Sequence, residues 1–285
     1  FALIVRATSH SRATLVDRAL FDYFITGSSF CAALGAEKFY DIKCRKAGIT
    51  PKLTVLVVTA RALKMHGGVP QDKIKEPNLE ALQKGIANMD KHLRNLESFG
   101  QTVLVAFNRY GDDTQEEIDF LRTHCAEKGV AFAVNNAFTQ GGEGAVELAE
   151  LVVKTIEEQP SEPLHFAYDN EDSVETKISK VASHLYGADI ITYSAAARKK
   201  LKHIEELGYA HFPICIAKTQ YSFSTDPKLY GAVEGFEFHV QDIVMNAGAE
   251  MLVVIAGEIM RMPGLPKEPQ ALHIDIVNGE IEGLS

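Results

Sequence analysis

Apolar residues follow two rhythms along this chain. LTVLVVT (Leu53 to Thr59), TVLVAF (Thr102 to Phe107) and VAFAV (Val130 to Val134) are short, evenly apolar and rich in β-branched residues. Runs of this kind predict buried strands rather than surface helices. Between them the apolar positions recur every three to four residues. Leu79, Leu82, Ile86, Met89, Leu93 and Leu96 make a helical stripe from Asn78 onward. In DTQEEIDFLRTHCAEKG, Thr114 reads as an N-cap with Glu117 three residues later and Gly129 past the end. AVELAELVVKTIEEQ, after Gly144, is a third amphipathic segment. Strands alternating with helices of this length predict βαβ units, an α/β fold with a predominantly parallel sheet, and ligands at the carboxyl ends of the strands.

Those strand ends carry the candidate chemistry. After the first strand comes VVTARALKMHGG. There Arg61 and Lys64 are candidate anion-handling groups and His66 a hydrogen-bonding or proton-transfer group. Gly67 and Gly68 allow either unusual backbone angles or a close approach that a Cβ would block. A well-solvated turn is the plain alternative. The second strand runs into NRYGDD, beginning at Asn108, and the third into NNAFTQGGEG, beginning at Asn135. Adjacent parallel strands would put Tyr110 and Phe138 on one rim, where two aromatics form a slot for a flat heterocycle. The alternative is that each caps the core where its strand emerges. GGEG matches no P-loop pattern, and no GxxxxGK[ST] is present.

A boundary is expected at Ser161 to Pro163, giving units 1–160 and 161–285. Beyond it, Ser173 and Gly187 bracket one helix and SAAARKKLKHIEELG forms another. FPICIA then enters KTQYSFSTDPKLYG, where Lys218 and Gln220 stand in a dense group of donors. Ligand contact and satisfaction of a buried backbone are equal readings of that loop. FEFHVQDIVMNAGAEMLVVIAGEIMRMPGLPKEP holds a strand pair, a small-residue turn at Asn246 to Ala249 and a rigid Pro263 to Pro266 loop.

Bulk properties exclude more than they assign. The 285 residues carry a formal net charge of −9 and no long basic run, which argues against nucleic acid as a partner. No apolar stretch is long enough to span a membrane. Four scattered cysteines without a CxxC suggest a reduced, cytoplasmic protein. No metal-ligand spacing appears among the ten histidines. The chain opens on FALIV without an initiator Met, as if its beginning lay elsewhere.

Taken in order, LGAEKFYDIKCRKAG, VVTARALKMHGG, VAFNRYGDDT, GGEG, LYGAD, PICIAKTQYSFS and MPGLP resemble formate–tetrahydrofolate ligase across essentially the whole chain. The resemblance implies the C-terminal portion of such an enzyme, with a sheet of the P-loop NTPase-like type, followed by a smaller α/β unit. Its P-loop and principal catalytic residues would lie in a missing N-terminal half. It implies ATP with Mg2+ and tetrahydrofolate as substrates, formyl phosphate as intermediate, 10-formyltetrahydrofolate as product, and homo-oligomeric assembly. Tyr110 and Phe138 would flank the pterin, standing where Phe and Trp are usual, with Asn135 in the neighbouring wall and Asn108 at the nucleotide rim. Lys218 and Gln220, with Arg61, Lys64 and His66, would bind anions or support the site. Arg6 stands where the family has His, Gly27 where it has Glu, and Ala33 where it has Asp. Gly111 replaces the usual Pro. These departures leave a non-catalytic relative, binding folate or nucleotide or serving as an interaction module, as the alternative.

Overall fold

The computed structural model describes residues 22–28 and 32–257, with residues 268, 272–273, 275–277 and 280–282 beyond them. Arg6, Cys31 and the Pro263 to Pro266 loop lie outside the described residues.

The first sheet contains β1 (Thr54–Val58), β2 (Val103–Asn108) and β3 (Ala131–Asn135), in the order β1-β2-β3 and parallel throughout. All three strands were expected, and their ends fall within one or two residues of the apolar runs. Ahead of them, α1 (Ala32–Lys38) continues through a π-helical turn (Phe39–Cys44) into the short α2 (Arg45–Ala47). Between β1 and β2 lie α3 (Ala60–His66) and α4 (Leu79–Ser98), and α5 (Gln115–Glu127) joins β2 to β3. Thr114 and Glu117 form the expected capping box. Thr114 Oγ1 accepts from the Glu117 N–H at 3.2 Å, and Glu117 accepts from the Thr114 N–H at 3.0 Å.

Alternation along the strands sets the two faces of this sheet. Leu56, Val58, Val103, Val105, Phe107 and Val134 join Leu82, Met89, Leu93 and Leu96 of α4 in the principal core. After β3 come α6 (Ala137–Gln140), a 3-10 turn (Gly141–Ala145) and α7 (Val146–Glu158). Helix α7 packs on β3 and β2. On the face opposite the principal core, Leu104 and Ala106 of β2 are buried, whereas Val55 and Val57 of β1 are 36% and 56% exposed. Among the described residues β1 is an edge strand of this sheet with an exposed apolar face, a recognised aggregation hazard. Val57→Lys is expected to raise the soluble yield of this 285-residue chain and lower its light scattering, with a melting midpoint close to the parent's. Equal scattering of parent and variant would acquit the edge.

The α4–α3 contact answers why two glycines follow the RALKMH helix. A Cβ on Gly67 would lie 1.8 Å from the Ala81 carbonyl oxygen, and one on Gly85 would lie 1.9 Å from that of Leu63. Gly67 is therefore set by close approach, and Gly68, at φ +97°, by backbone angle.

The second sheet is mixed. It contains β4 (Ala188–Tyr193), β5 (Ile214–Ala217), β6 (Phe236–Asn246) and β7 (Met251–Ala256) in the order β4-β6-β7-β5. The expected strand pair is the antiparallel β6–β7 hairpin, turning through Ala247–Ala249. Helix α8 (Val174–Lys180) is capped by Ser173 and runs through a π turn (Val181–Tyr186) to Gly187. Helix α9 (Ala195–Glu206) packs on β6 and β4. A short hairpin, β8 (Asp275–Val277) with β9 (Glu280–Glu282), completes the described strands. Residues from both sheets contribute to the principal core. No helix among the described residues is long and apolar enough to cross a membrane.

Candidate functional site

Three parallel strands end side by side, and the residues just past them meet. Thr59, just past the first strand, caps α3, its hydroxyl accepting from the Ala62 N–H at 3.1 Å. This places Arg61 in the first turn of α3, facing the β2 exit. Its Nε donates to Asp112 Oδ2 at 3.1 Å, and a terminal nitrogen also bonds the Asp112 carboxylate. The guanidinium carbon lies 3.9 Å from the centroid of the Tyr110 ring. Bonding to Asp112 raises the Arg61 pKa, and the same bond holds the Asp112 carboxyl below its ordinary value.

The loop carrying Tyr110 is a tight turn. Asp113 N–H donates to the Tyr110 carbonyl at 3.1 Å, and Asp113 Oδ2 accepts from the Tyr110 N–H at 2.7 Å. Burial pushes the Asp113 carboxyl up, although the Tyr110 N–H opposes this. The third exit is tied to the second. Asn108 and Asn135 pair across β2 and β3, and Asn135 Nδ2 donates to Asn108 Oδ1 at 2.8 Å. Asn135 Oδ1 accepts from the Ala137 N–H at 3.1 Å, which starts α6 and sets out Phe138 at 76% exposure. The GGEG turn folds back on this loop. A Cβ on Gly144 would lie 2.5 Å from the Asn136 carbonyl, and Gly144 O accepts from the Asn136 N–H at 2.9 Å. That turn shapes the rim with its backbone.

Arg61 with Tyr110, and Asn108 with Asn135, thus stand at adjoining strand ends, and Phe138 is exposed on α6 just past the third. The other candidates are placed elsewhere. Lys64 and Lys218 do not stand on that surface, since both residues are buried, at 0% and 1% exposure. Lys64 pairs with Glu117 at 3.2 Å and donates to the Glu76 carbonyl at 3.0 Å. Lys218 donates to the carbonyls of Thr219, Ser222 and Ser224 and lies over the Tyr186 ring. Of the two readings of the Lys218 loop, satisfaction of a buried backbone is the one these bonds match; Gln220 beside it is exposed. Arg61 keeps its place, but its charge is matched by Asp112. His66 sits at the far end of α3, about 7.5 Å along the axis from Arg61. Its Nδ1 accepts from the Gly231 N–H at 3.1 Å, and its ring meets Tyr230 edge-on. Burial lowers the His66 pKa, so the imidazole is a neutral tie between α3 and the Tyr230 loop. Two grooves, of about 530 Å3 around Lys91, Arg94 and His184 and about 290 Å3 beside Gly68 and Lys73, lie apart from the rim.

Asp112 and Asp113 were not among the residues singled out, yet they hold the Tyr110 turn. The signal was present: two carboxylates directly past a strand end, opposite an arginine past the neighbouring strand. Comparison with known proteins gives the rim a context. A family model for formate–tetrahydrofolate ligase matches residues 1–285. The chain belongs to the formate–tetrahydrofolate ligase family. Among proteins named formate–tetrahydrofolate ligase, it is 82% identical over 285 residues to that of Phocaeicola vulgatus. It is 65% identical to that of Bacteroides fragilis strain ATCC 25285 and 57% identical to that of Porphyromonas gingivalis. Each alignment covers 100% of this chain and 51% of the relative, so the chain spans about half the length of these relatives. Two positions expected to depart from the family pattern differ in setting: Gly27 is exposed with open space around it, and Ala33 is 3% exposed on α1.

Proposed function

We propose that this chain serves the ATP-dependent joining of formate to tetrahydrofolate, as part of a longer or complemented polypeptide, and that its rim supplies the pterin slot. The observation that carries this is the junction of β2 and β3. Asn108 pairs with Asn135 across parallel strands, and Tyr110 and the exposed Phe138 leave from those two ends. A solvent-facing Phe gains most from a ligand that covers it. A flat pterin would bury apolar area on such rings, with Asn135 beside it.

In this proposal a formate oxygen attacks the γ-phosphorus of ATP, which enters with Mg2+ as substrate, and the bond to the β-phosphate breaks to release ADP. The resulting formyl phosphate then gives its carbon to the folate N10, releasing phosphate. Formate is a poor electrophile, and phosphorylation supplies its leaving group. In this reading the parallel sheet is of the P-loop NTPase-like type, and the P-loop and other phosphate-handling groups belong to the part of the relatives that this chain does not span. A cytoplasmic, homo-oligomeric enzyme with units 1–160 and 161–285 completes the proposal. A non-catalytic relative is the second reading. Ala33 favours it, because a carboxylate at that position would be buried.

The test is tetrahydrofolate binding by calorimetry to the full-length protein and to its Tyr110→Leu and Phe138→Leu variants. Loss of stacking worth roughly 0.5–1.5 kcal/mol corresponds to about 2- to 13-fold weaker binding for each variant. Melting midpoints should stay near the parent's, since both rings stand at the rim. Undiminished binding in both variants would return the aromatics to core caps. Turnover of formate by the full-length protein separates the enzyme from the non-catalytic relative.

A further inference from the structure

We propose that Arg61, held by Asp112, is a positioning residue for the pterin slot: it occupies one face of Tyr110 and leaves the other to the ligand. The inference rests on the folate reading above and specifies how one wall of the slot is built. Three observations combine. The guanidinium lies 3.9 Å from the Tyr110 centroid, close enough for planar stacking. Its donors are directed at Asp112, two residues beyond Tyr110, so one contact fixes both ends of the YGD segment. The segment is otherwise secured by backbone bonds to Asp113, which set the main chain but not the ring.

The chemistry argues for positioning over direct anion binding. The guanidinium nitrogens facing Asp112 are engaged, and the pair is close to neutral. An anionic substrate at Arg61 would have to displace a carboxylate already bonded through two nitrogens. A planar cation against one ring face has a different use. It removes the rotational freedom of Tyr110 at a rim position, so less is lost when a second ring stacks on the open face. Lysine cannot replace it, because an ammonium has neither the fork that grips Asp112 nor the plane that covers the ring.

The experiment uses the full-length protein and measures KM for tetrahydrofolate, ATP and formate, with kcat, for Arg61→Met, Arg61→Lys, Asp112→Asn, Tyr110→Leu and the Arg61→Met/Tyr110→Leu pair. Arg61→Met is expected to raise the tetrahydrofolate KM about 3- to 5-fold, with the ATP and formate KM values unchanged. Arg61→Lys should fail to restore it, and Asp112→Asn should give a smaller rise. In the Tyr110→Leu background, Arg61→Met should add little, because the ring it positions is gone. Equal effects in both backgrounds would overturn the proposal, as would a matching rise in the ATP or formate KM. If Tyr110→Leu weakens folate but Arg61→Met does not, the positioning role alone falls. If Tyr110→Leu leaves folate unaffected, the pterin slot and the positioning role fall together.

Discussion

Gly85→Ala is expected to cost this protein about 3 kcal/mol or more of stability, although alanine is the better helix former. In an exposed helix interior the exchange would gain about 1 kcal/mol. Here the new Cβ would stand 1.9 Å from the Leu63 carbonyl oxygen and 2.7 Å from its carbon. Both are backbone atoms and cannot swing aside. Helices α3 and α4 must separate, and Leu63 and Leu82, at 3% and 0% exposure, separate with them. Gly67→Ala meets the Ala81 carbonyl from the other helix and should behave alike. Gly111→Ala is the control, since nothing lies within 4 Å of its Cβ position. It should change stability by less than about 0.5 kcal/mol. Urea titrations with a common slope would measure all three. A Gly85→Ala protein as stable as the parent would show that the helices do not meet through their backbones.

The same crossing shows what a sequence reveals and what it conceals. The glycines of RALKMHGG announced a constraint, and the structure divides it into a contact at Gly67 and a backbone angle at Gly68. Strands β1, β2 and β3 were legible as continuous β-branched apolar runs; β2 is buried on both faces, whereas β1 keeps its apolar residues on an exposed face as well. Strand β4 was not. Its residues ADIITY sit at an edge, Ile190 is 59% exposed, and a register shift breaks its pairing with β6. The π turns at Phe39–Cys44 and Val181–Tyr186 leave no compositional trace, because they arise from a slipped hydrogen-bond register. At the rim, Tyr110, Phe138, Asn108 and Asn135 could be placed from strand order alone. The pairing of Arg61 with Asp112 could not, since it depends on how α3 turns beside the β2 exit. Lys64 reads as a rim charge because lysine is almost never fully buried without a partner, and the Lys218 loop reads equally as ligand contact or backbone satisfaction. Their partners lie on other segments or in the folded backbone, where spacing along the chain does not point.

Lys64→Met is therefore expected to act on stability, with a loss of about 3–5 kcal/mol, the range for removing one member of a buried pair. Methionine keeps most of the stem but not the charge. Glu117 is 1% exposed and serves two helices at once, accepting from the Thr114 N–H at 3.0 Å and from the Asn78 N–H at 3.1 Å. Without the ammonium it is a buried charge held only by neutral donors, and the Glu76 carbonyl also loses its donor. The pH dependence separates this cause from simple packing. Burial alone would raise the Glu117 pKa, but the Thr114 and Asn78 N–H groups and Lys64 together hold it below the ordinary 4.5. A carboxyl depressed in the folded state contributes stability above its unfolded pKa and loses that contribution as pH falls through the folded value. Removing Lys64 raises the folded value and takes part of that contribution away. The parent should thus lose stability on acidification more steeply than Lys64→Met, and the gap between them should narrow from pH 7 toward pH 4. Lys64→Met/Glu117→Gln should cost less than the two single losses added together. A gap independent of pH would assign the loss to packing. An unchanged stability with a raised KM for an anionic substrate would return Lys64 to the ligand rim.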